Sequence, residues 1–144
     1  MCPPVSVGVP LVLGLLISAL AGDPLTTSSM TAAIGWLLVA GFGVWNGWAL
    51  MTIARHRTAL LPGGATTTVI DSGPFGLSRN PLYVGLLAGS AGVALLAGSM
   101  WAVVALPLEW ALLRWGAVVP EERYLAAKFG PAYADYVGRV RRWL

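Results

Sequence analysis

The residues able to do chemistry in this sequence are few, and they gather in two stretches. Asp71 to Gly85 reads Asp-Ser-Gly-Pro-Phe-Gly-Leu-Ser-Arg-Asn-Pro-Leu-Tyr-Val-Gly and sets a fixed cation, Arg79, beside an amide, Asn80, and a phenol, Tyr83. The second stretch begins at the adjacent acids Glu121 and Glu122 and continues through Tyr124, Phe129, Tyr133 and Tyr136. Carboxylates accept hydrogen bonds from hydroxyls or ammonium groups, a loop broken by Gly and Pro exposes backbone groups to a polar ligand, and aromatic faces cover a ring or a cation. Other chemistries are excluded. One cysteine and one histidine, Cys2 and His56, cannot build a thiol zinc cluster or a multi-histidine site, so no metal is expected. No Gly-x-Gly-x-x-Gly follows a strand pattern, which leaves helix ends as the only place for a nucleotide-like cofactor.

The elements that must position these residues are apolar helices. Hydrophobic residues make up 57% of the 144 and charged residues 10%, too little polar surface to cover a soluble globule, and the chain reads as an all-α integral membrane protein of one domain, 1–144. Four transmembrane helices are expected near 5–22, 32–54, 82–96 and 100–119, followed by a C-terminal amphipathic segment, 120–144. The first is read as a retained helix, because the Ala-Leu-Ala before Gly22 resembles a cleavage site but no positive region precedes it. In the second, the Asn46 amide needs a partner on another helix or a ligand, and Gly35, Gly41, Gly43 and Gly47 allow close packing. Gly73-Pro74 and Asn80-Pro81 break the loop 66–81, Ala97-Gly98-Ser99 reverses the third helix into the fourth, and Gly130-Pro131 divides the tail into two short helices.

Charge supplies the topology. Arg55, Arg57 and Arg79 lie between the second and third helices, and Arg114, Arg123, Lys128, Arg139, Arg141 and Arg142 lie at or beyond the end of the fourth. The other two connections carry no Lys or Arg, so both basic regions share one face, which the positive-inside rule makes cytoplasmic. The net charge of +3 is thus read as topology and headgroup attraction, with membrane lipids and not nucleic acid as partners. His56, flanked by two arginines, reads as solvated.

Read together, Gly-Pro-Phe, Arg-Asn-Pro-Leu-Tyr-Val-Gly, Glu-Glu-x-x-Leu, Phe-Gly-x-x-Tyr-x-x-Tyr and the final Arg-Val resemble the isoprenylcysteine carboxyl methyltransferase and phospholipid methyltransferase-like membrane family, in a bacterial member, over the half of the chain from Thr66 onward. The resemblance implies S-adenosylmethionine as cofactor, held by Thr67, Thr68, Val69, Ile70, Phe75, Asn80, Pro81, Leu82, Tyr83, Glu121 and Glu122, with Arg79 and Glu121 fixing the catalytic site. It implies a multi-pass protein of the inner membrane whose cofactor arrives from the cytoplasm and whose lipophilic or prenylated acceptor arrives from the bilayer. Family members often carry histidine where Asn80 stands; asparagine keeps a donor and an acceptor and loses the titration. An arginine that holds the substrate carboxylate in eukaryotic relatives corresponds here to Ala117, with Arg114 the replacement to consider. Glu109, an acid in mid-helix, is read as lining the lipid-side substrate pocket. Carboxyl O-methylation is the family reading; a lipid amine or small thiol as acceptor, an NADPH-dependent sterol-reductase-like enzyme and a non-catalytic membrane adaptor are the alternatives.

Overall fold

The structure is a computed structural model that describes residues 3–56 and 68–144; Thr67, named above for the cofactor site, and Arg57 lie outside them. Among the described residues there is no strand. Six α-helices follow one another: α1 (Pro3–Ala21), α2 (Ser29–Arg55), α3 (Pro81–Leu96), α4 (Met100–Leu113), α5 (Val119–Phe129) and α6 (Pro131–Arg139). A 3-10 turn, Gly73–Gly76, lies in the loop before α3, and a π-helical turn, Arg114–Val118, joins α4 to α5.

The helix starts follow local chemistry. Ser28 caps α2 by accepting from the Thr31 N–H at 3.1 Å, and the Thr31 hydroxyl accepts in return from the Ser28 N–H at 2.8 Å. Pro81 opens α3, where a missing N–H costs nothing. Gly98, with φ +60°, closes the tight turn before α4.

One departure from the sequence expectation concerns the fourth span, expected over 100–119. No break occurs at Pro120: the helical path is continuous from Met100 to Phe129. Pro120 has no N–H to donate, and the ladder widens just before it, the Val119 N–H reaching back five residues to the Arg114 carbonyl. Among the described residues, the continuous segment and α2 are the two helices long and apolar enough to cross a membrane; α1 and α3 are shorter apolar helices, and α3 at 16 residues is about 24 Å long.

Small residues set the helix contacts, though not the ones expected. Of the four α2 glycines, only Gly35 packs tightly, against Leu96 and the Gly92 carbonyl; Gly41, Gly43 and Gly47 have nothing close. The close approach is made by α3, whose Gly85 meets Asn46, Gly89 meets Phe42, and Gly92 meets Val39 and Gly35. Asn46 does find another helix, but its Oδ1 is buried without a hydrogen bond among the described residues. α1 runs along α4, with Gly14 on the Ala102 backbone and Ser18 bonded to Ser99. The outward faces carry Leu37, Val44, Trp36, Val104 and Trp115, each more than half exposed, a surface matched to an apolar solvent.

Asp23 staples the end of the molecule remote from the basic loops. Its carboxylate accepts from the Ser18 hydroxyl at 2.6 Å, the Leu25 N–H at 2.8 Å and the Met100 N–H at 2.8 Å, which caps α4 from outside the helix. Desolvation works to raise its pKa, but these bonds and one from the Trp101 N–H outweigh it and hold the group below its ordinary 3.8. A depressed folded-state pKa contributes stability above the unfolded value that is lost as pH falls through the folded one. Asp23→Asn is therefore expected to lower the melting temperature at pH 7, with the gap to the wild type closing below about pH 3.8. Thermal unfolding of both proteins in detergent across pH 2.5 to 7 (~0.5-unit steps) checks this.

Candidate active site

The loop is folded onto the ends of α2 and α3 by its glycines and prolines. Gly73, at φ +58°, sits against Thr52 and Trp48, where a Cβ would lie 2.9 Å from the Thr52 hydroxyl. The Trp45 indole donates to the Pro81 carbonyl at 2.8 Å, fixing the start of α3 to α2. Arg79, Asn80 and Tyr83 are thereby held at one end of the bundle, the end that also receives α5.

The tail returns over this loop. Gly130, at φ +50°, turns α5 into α6, and Tyr133, Tyr136 and Val140 form a small core with Val69, Leu125 and Phe129. The Tyr136 hydroxyl donates to the Phe75 carbonyl at 2.7 Å. Beyond α6 the chain is tied down by backbone groups: the Arg79 N–H donates to the Arg141 carbonyl at 2.9 Å, and the Arg142 carbonyl accepts from Asn80 Nδ2 at 2.9 Å and from the Ser78 hydroxyl at 3.3 Å. Asn80 therefore does not cap α3 with its side chain; it anchors the C-terminal strap.

The two acids take different partners. Glu122 is gripped from both sides: Arg79 Nη1 lies 3.2 Å from one oxygen, and Arg142 donates through Nε at 3.0 Å and Nη2 at 2.8 Å. The Arg79 and Glu122 side chains are only 11% and 14% exposed. Glu121 accepts from the Tyr83 hydroxyl at 2.9 Å. The sequence reading gave Arg79 and Glu121 jointly to the centre; the structure pairs Arg79 with Glu122 and Glu121 with Tyr83. Consecutive helix positions point about 100° apart, so the two acids cannot serve the same partner.

Burial first, and the negative charge of Glu122 second, push the Tyr133 phenol up. Burial and then Tyr133 raise Tyr136 further, and the hydrogen bond from Arg142 to Glu122 raises the guanidinium. Both phenols thus stay protonated and act as donors through the neutral range. Two clefts open here. One, about 350 Å³, is lined by Arg79, Glu122, Tyr133, Arg142 and the apolar Val119 and Val137. The other, about 410 Å³, lies between Thr68, Val69 and Asp71 of the loop and Phe129, Tyr136 and Arg139 of the tail. In the first, Arg79 Nε is buried and has no hydrogen-bond partner among the described residues.

Of the remaining expected residues, Ile70 is buried, Val69 joins the tyrosine core, exposed Thr68 bonds only the neighbouring Val69 carbonyl at 3.5 Å, and Phe75 contributes its carbonyl to Tyr136. Leu82 is half-buried in the first turn of α3 beside Tyr83. Glu109 and Arg114 do not join the cluster. Glu109 is 0% exposed between helices, so it is enclosed and does not face a lipid-side opening. The Arg114 guanidinium lies over Trp110 at 5.2 Å and Trp115 at 5.9 Å, not at the position of Ala117, which is buried. Sequence reasoning missed Ser78 and Arg142 as parts of the site, and offered Tyr133 only as one of several tail aromatics able to cover a ligand. The arginines at 139, 141 and 142 carried a signal, but it read as membrane-face charge.

A sequence model described as phospholipid methyltransferase matches residues 30–132, a span that holds the loop, the hairpin and both acids. The chain belongs to the phospholipid methyltransferase family. This family is one of membrane methyltransferases, so the resemblance carried by Arg-Asn-Pro-Leu-Tyr and Glu-Glu holds. Two curated relatives are similar over 95 residues, 65% of this chain and 44% of each of theirs: the cobalt-zinc-cadmium resistance protein CzcN of Cupriavidus metallidurans, at 36% identity, and the nickel-cobalt-cadmium resistance protein NccN of Alcaligenes xylosoxydans xylosoxydans, at 31%. The matched part is thus less than half the length of either relative. No solved structure matches.

Proposed function

We propose that the protein is a multi-pass membrane methyltransferase that uses S-adenosylmethionine taken from the cytoplasmic side and methylates a lipophilic acceptor delivered by the bilayer. The observation that carries this reading is the polar cleft at the joint of loop and tail, where the partly sealed Arg79 keeps an unpartnered Nε beside paired acids. A buried donor without a partner favours an acceptor-bearing ligand, and a carboxylate is the ligand an arginine fork suits best. The residues fit the cofactor in kind: Arg79 would take its carboxylate, Glu121 its ammonium or ribose hydroxyls, and Tyr83 would hold Glu121 in place. When bound, the cofactor supplies an electrophilic methyl group on a sulfonium. The protein's part is to orient the acceptor in line with it and to exclude water by closing loop and tail together.

What stands near the site bears on the acceptor. The family's carboxylate-holding arginine is replaced by buried Ala117, and Arg114 is engaged by Trp110 and Trp115, which favours a lipid amine or small thiol over an isoprenylcysteine carboxylate. The relatives' names extend the proposal to tolerance of cobalt, zinc, nickel or cadmium. Calorimetric titration in nanodiscs tests the cofactor. S-adenosylmethionine is expected to bind and NADPH not to, with Arg79→Ala and Glu121→Ala each weakening binding at least about tenfold. NADPH binding alone would move the protein to the reductases, and binding of neither by a folded sample would leave an adaptor.

A further inference from the structure

We propose that Arg114, held over Trp110 and Trp115 at the end of α4, binds the phosphate of an anionic membrane phospholipid. This goes beyond the methyl-transfer reading and does not depend on it. The guanidinium carbon lies 5.2 Å from the centre of the Trp110 ring and 5.9 Å from that of Trp115. The two rings meet edge to face at 6.1 Å, and Trp143, on the C-terminal strap, backs Trp110 at 6.3 Å. The platform is thus fixed to two parts of the chain. Rings steady a guanidinium without supplying the oxygen acceptors its N–H groups take. Among the described residues Arg114 has no carboxylate and no hydrogen-bond acceptor for that group, whereas Arg79 and Arg142 share Glu122 and Arg139 pairs with Asp71.

The nearest acids in sequence are both committed. Glu109 is 0% exposed, Glu121 accepts from Tyr83, and no acid lies between Trp110 and Pro120. A lone guanidinium beside hydrocarbon is costly, and a phosphate meets it with two parallel hydrogen bonds while leaving the rings in place. The neighbouring surface says what that phosphate is attached to. Val104, Leu108 and Trp115, 61%, 54% and 63% exposed, are spaced by four and then seven residues along one stripe of the same helical path, a track for an acyl chain that passes the guanidinium. An inorganic phosphate would use none of it. A headgroup ammonium would find no free carboxylate in this stretch, which favours an anionic headgroup over a zwitterionic one. The lipid held here is not the methyl acceptor: Arg114 precedes Glu121 by seven residues, about 10 Å of helix, and lines neither cleft.

Native mass spectrometry of the detergent-purified protein, titrated with dioleoylphosphatidylglycerol or dioleoylphosphatidylcholine, counts bound lipids and gives the affinity of the first. The wild type is expected to take up one phosphatidylglycerol at least about tenfold more tightly than phosphatidylcholine. Arg114→Gln should remove that preference, and Arg114→Lys should weaken it, because an ammonium lacks the planar fork. Trp115→Leu, at an exposed position, should lower the phosphatidylglycerol affinity about threefold. Arg55→Gln, which removes a charge from the end of another helix, should leave it unchanged. Should Arg114→Gln fail to fold, Arg114→Lys and Trp115→Leu carry the test. Equal uptake of the two lipids, an undiminished preference in the Arg114 variants, an equal loss in Arg55→Gln, or displacement of the lipid by millimolar inorganic phosphate would each overturn the site. S-adenosylmethionine binding measured on the same variants reads the catalytic proposal separately, since neither Arg114 nor its tryptophans line the cofactor cleft.

Discussion

Glu122→Ala is expected to be the most damaging single substitution at the loop–tail joint, lowering unfolding free energy by about 3 kcal/mol and S-adenosylmethionine-dependent methyl transfer by about a hundredfold. The reason is geometric. Glu122 is the one anion between Arg79 and Arg142, held by contacts of 3.2, 3.0 and 2.8 Å, and its loss leaves two guanidinium groups facing each other in a cleft where Arg79 is 11% exposed. Removing one partner of a buried pair costs more than the pair contributes, because the remaining charge keeps its desolvation penalty. Arg142 also brings the strap whose carbonyl Asn80 and Ser78 hold, so its release frees the tail from the loop. Denaturant unfolding in detergent and radiolabelled methyl transfer measure the two losses. A double-mutant cycle with Arg79→Ala should give a coupling above about 1 kcal/mol. A Glu122→Ala protein within about 0.5 kcal/mol of wild type would show that the network is solvated and the joint held by its tyrosines instead.

Gly85→Ala is expected to separate α2 from α3 locally. A Cβ there would overlap Asn46 Oδ1 and stand 2.7 Å from its Cγ, a contact no packed pair tolerates. Asn46 is 9% exposed and has a short side chain, so relief requires the helices to part, at about 1–3 kcal/mol. The effect reaches the cofactor site because Trp45, the neighbour of Asn46, fixes the Pro81 carbonyl at the start of α3, from which Asn80 and Tyr83 project. S-adenosylmethionine affinity should fall about tenfold along with the melting temperature. The second-site change Asn46→Ala removes the clashing atoms and should restore both. Failure of that rescue would mean that Gly85 is required for its backbone and not for the space above it.

Much of this architecture was legible because helices announce themselves locally. The 57% hydrophobic composition, Pro81 at the start of α3, the Gly98 reversal and the Gly130-Pro131 division are matters of residue type and spacing, and each falls where the sequence places it; α2, expected from 32, starts three residues earlier at Ser29. The joining of the Arg79 loop to the acid pair was also legible, through family resemblance. The end of the fourth helix, expected at 119, was not legible, because Pro120 is absorbed here by a π turn, a choice governed by the neighbouring turn of backbone and not by the residue itself.

Residue types alone determined that the chain would build apolar helices, gather its basic groups toward one end and offer one cation, one amide and two acids to a ligand there. Only the tertiary structure decided which acid meets which partner. The π turn sets the rotation of α5, and so turns Glu122 to Arg79 and Glu121 to Tyr83. The same holds for Arg142, whose place beside Glu122 depends on a strap returning across the loop, and for Glu109, whose burial is a property of packed helices. Helix formation is local and follows sequence spacing; the pairing of charges is set by rotations and returns of the chain that accumulate over many residues.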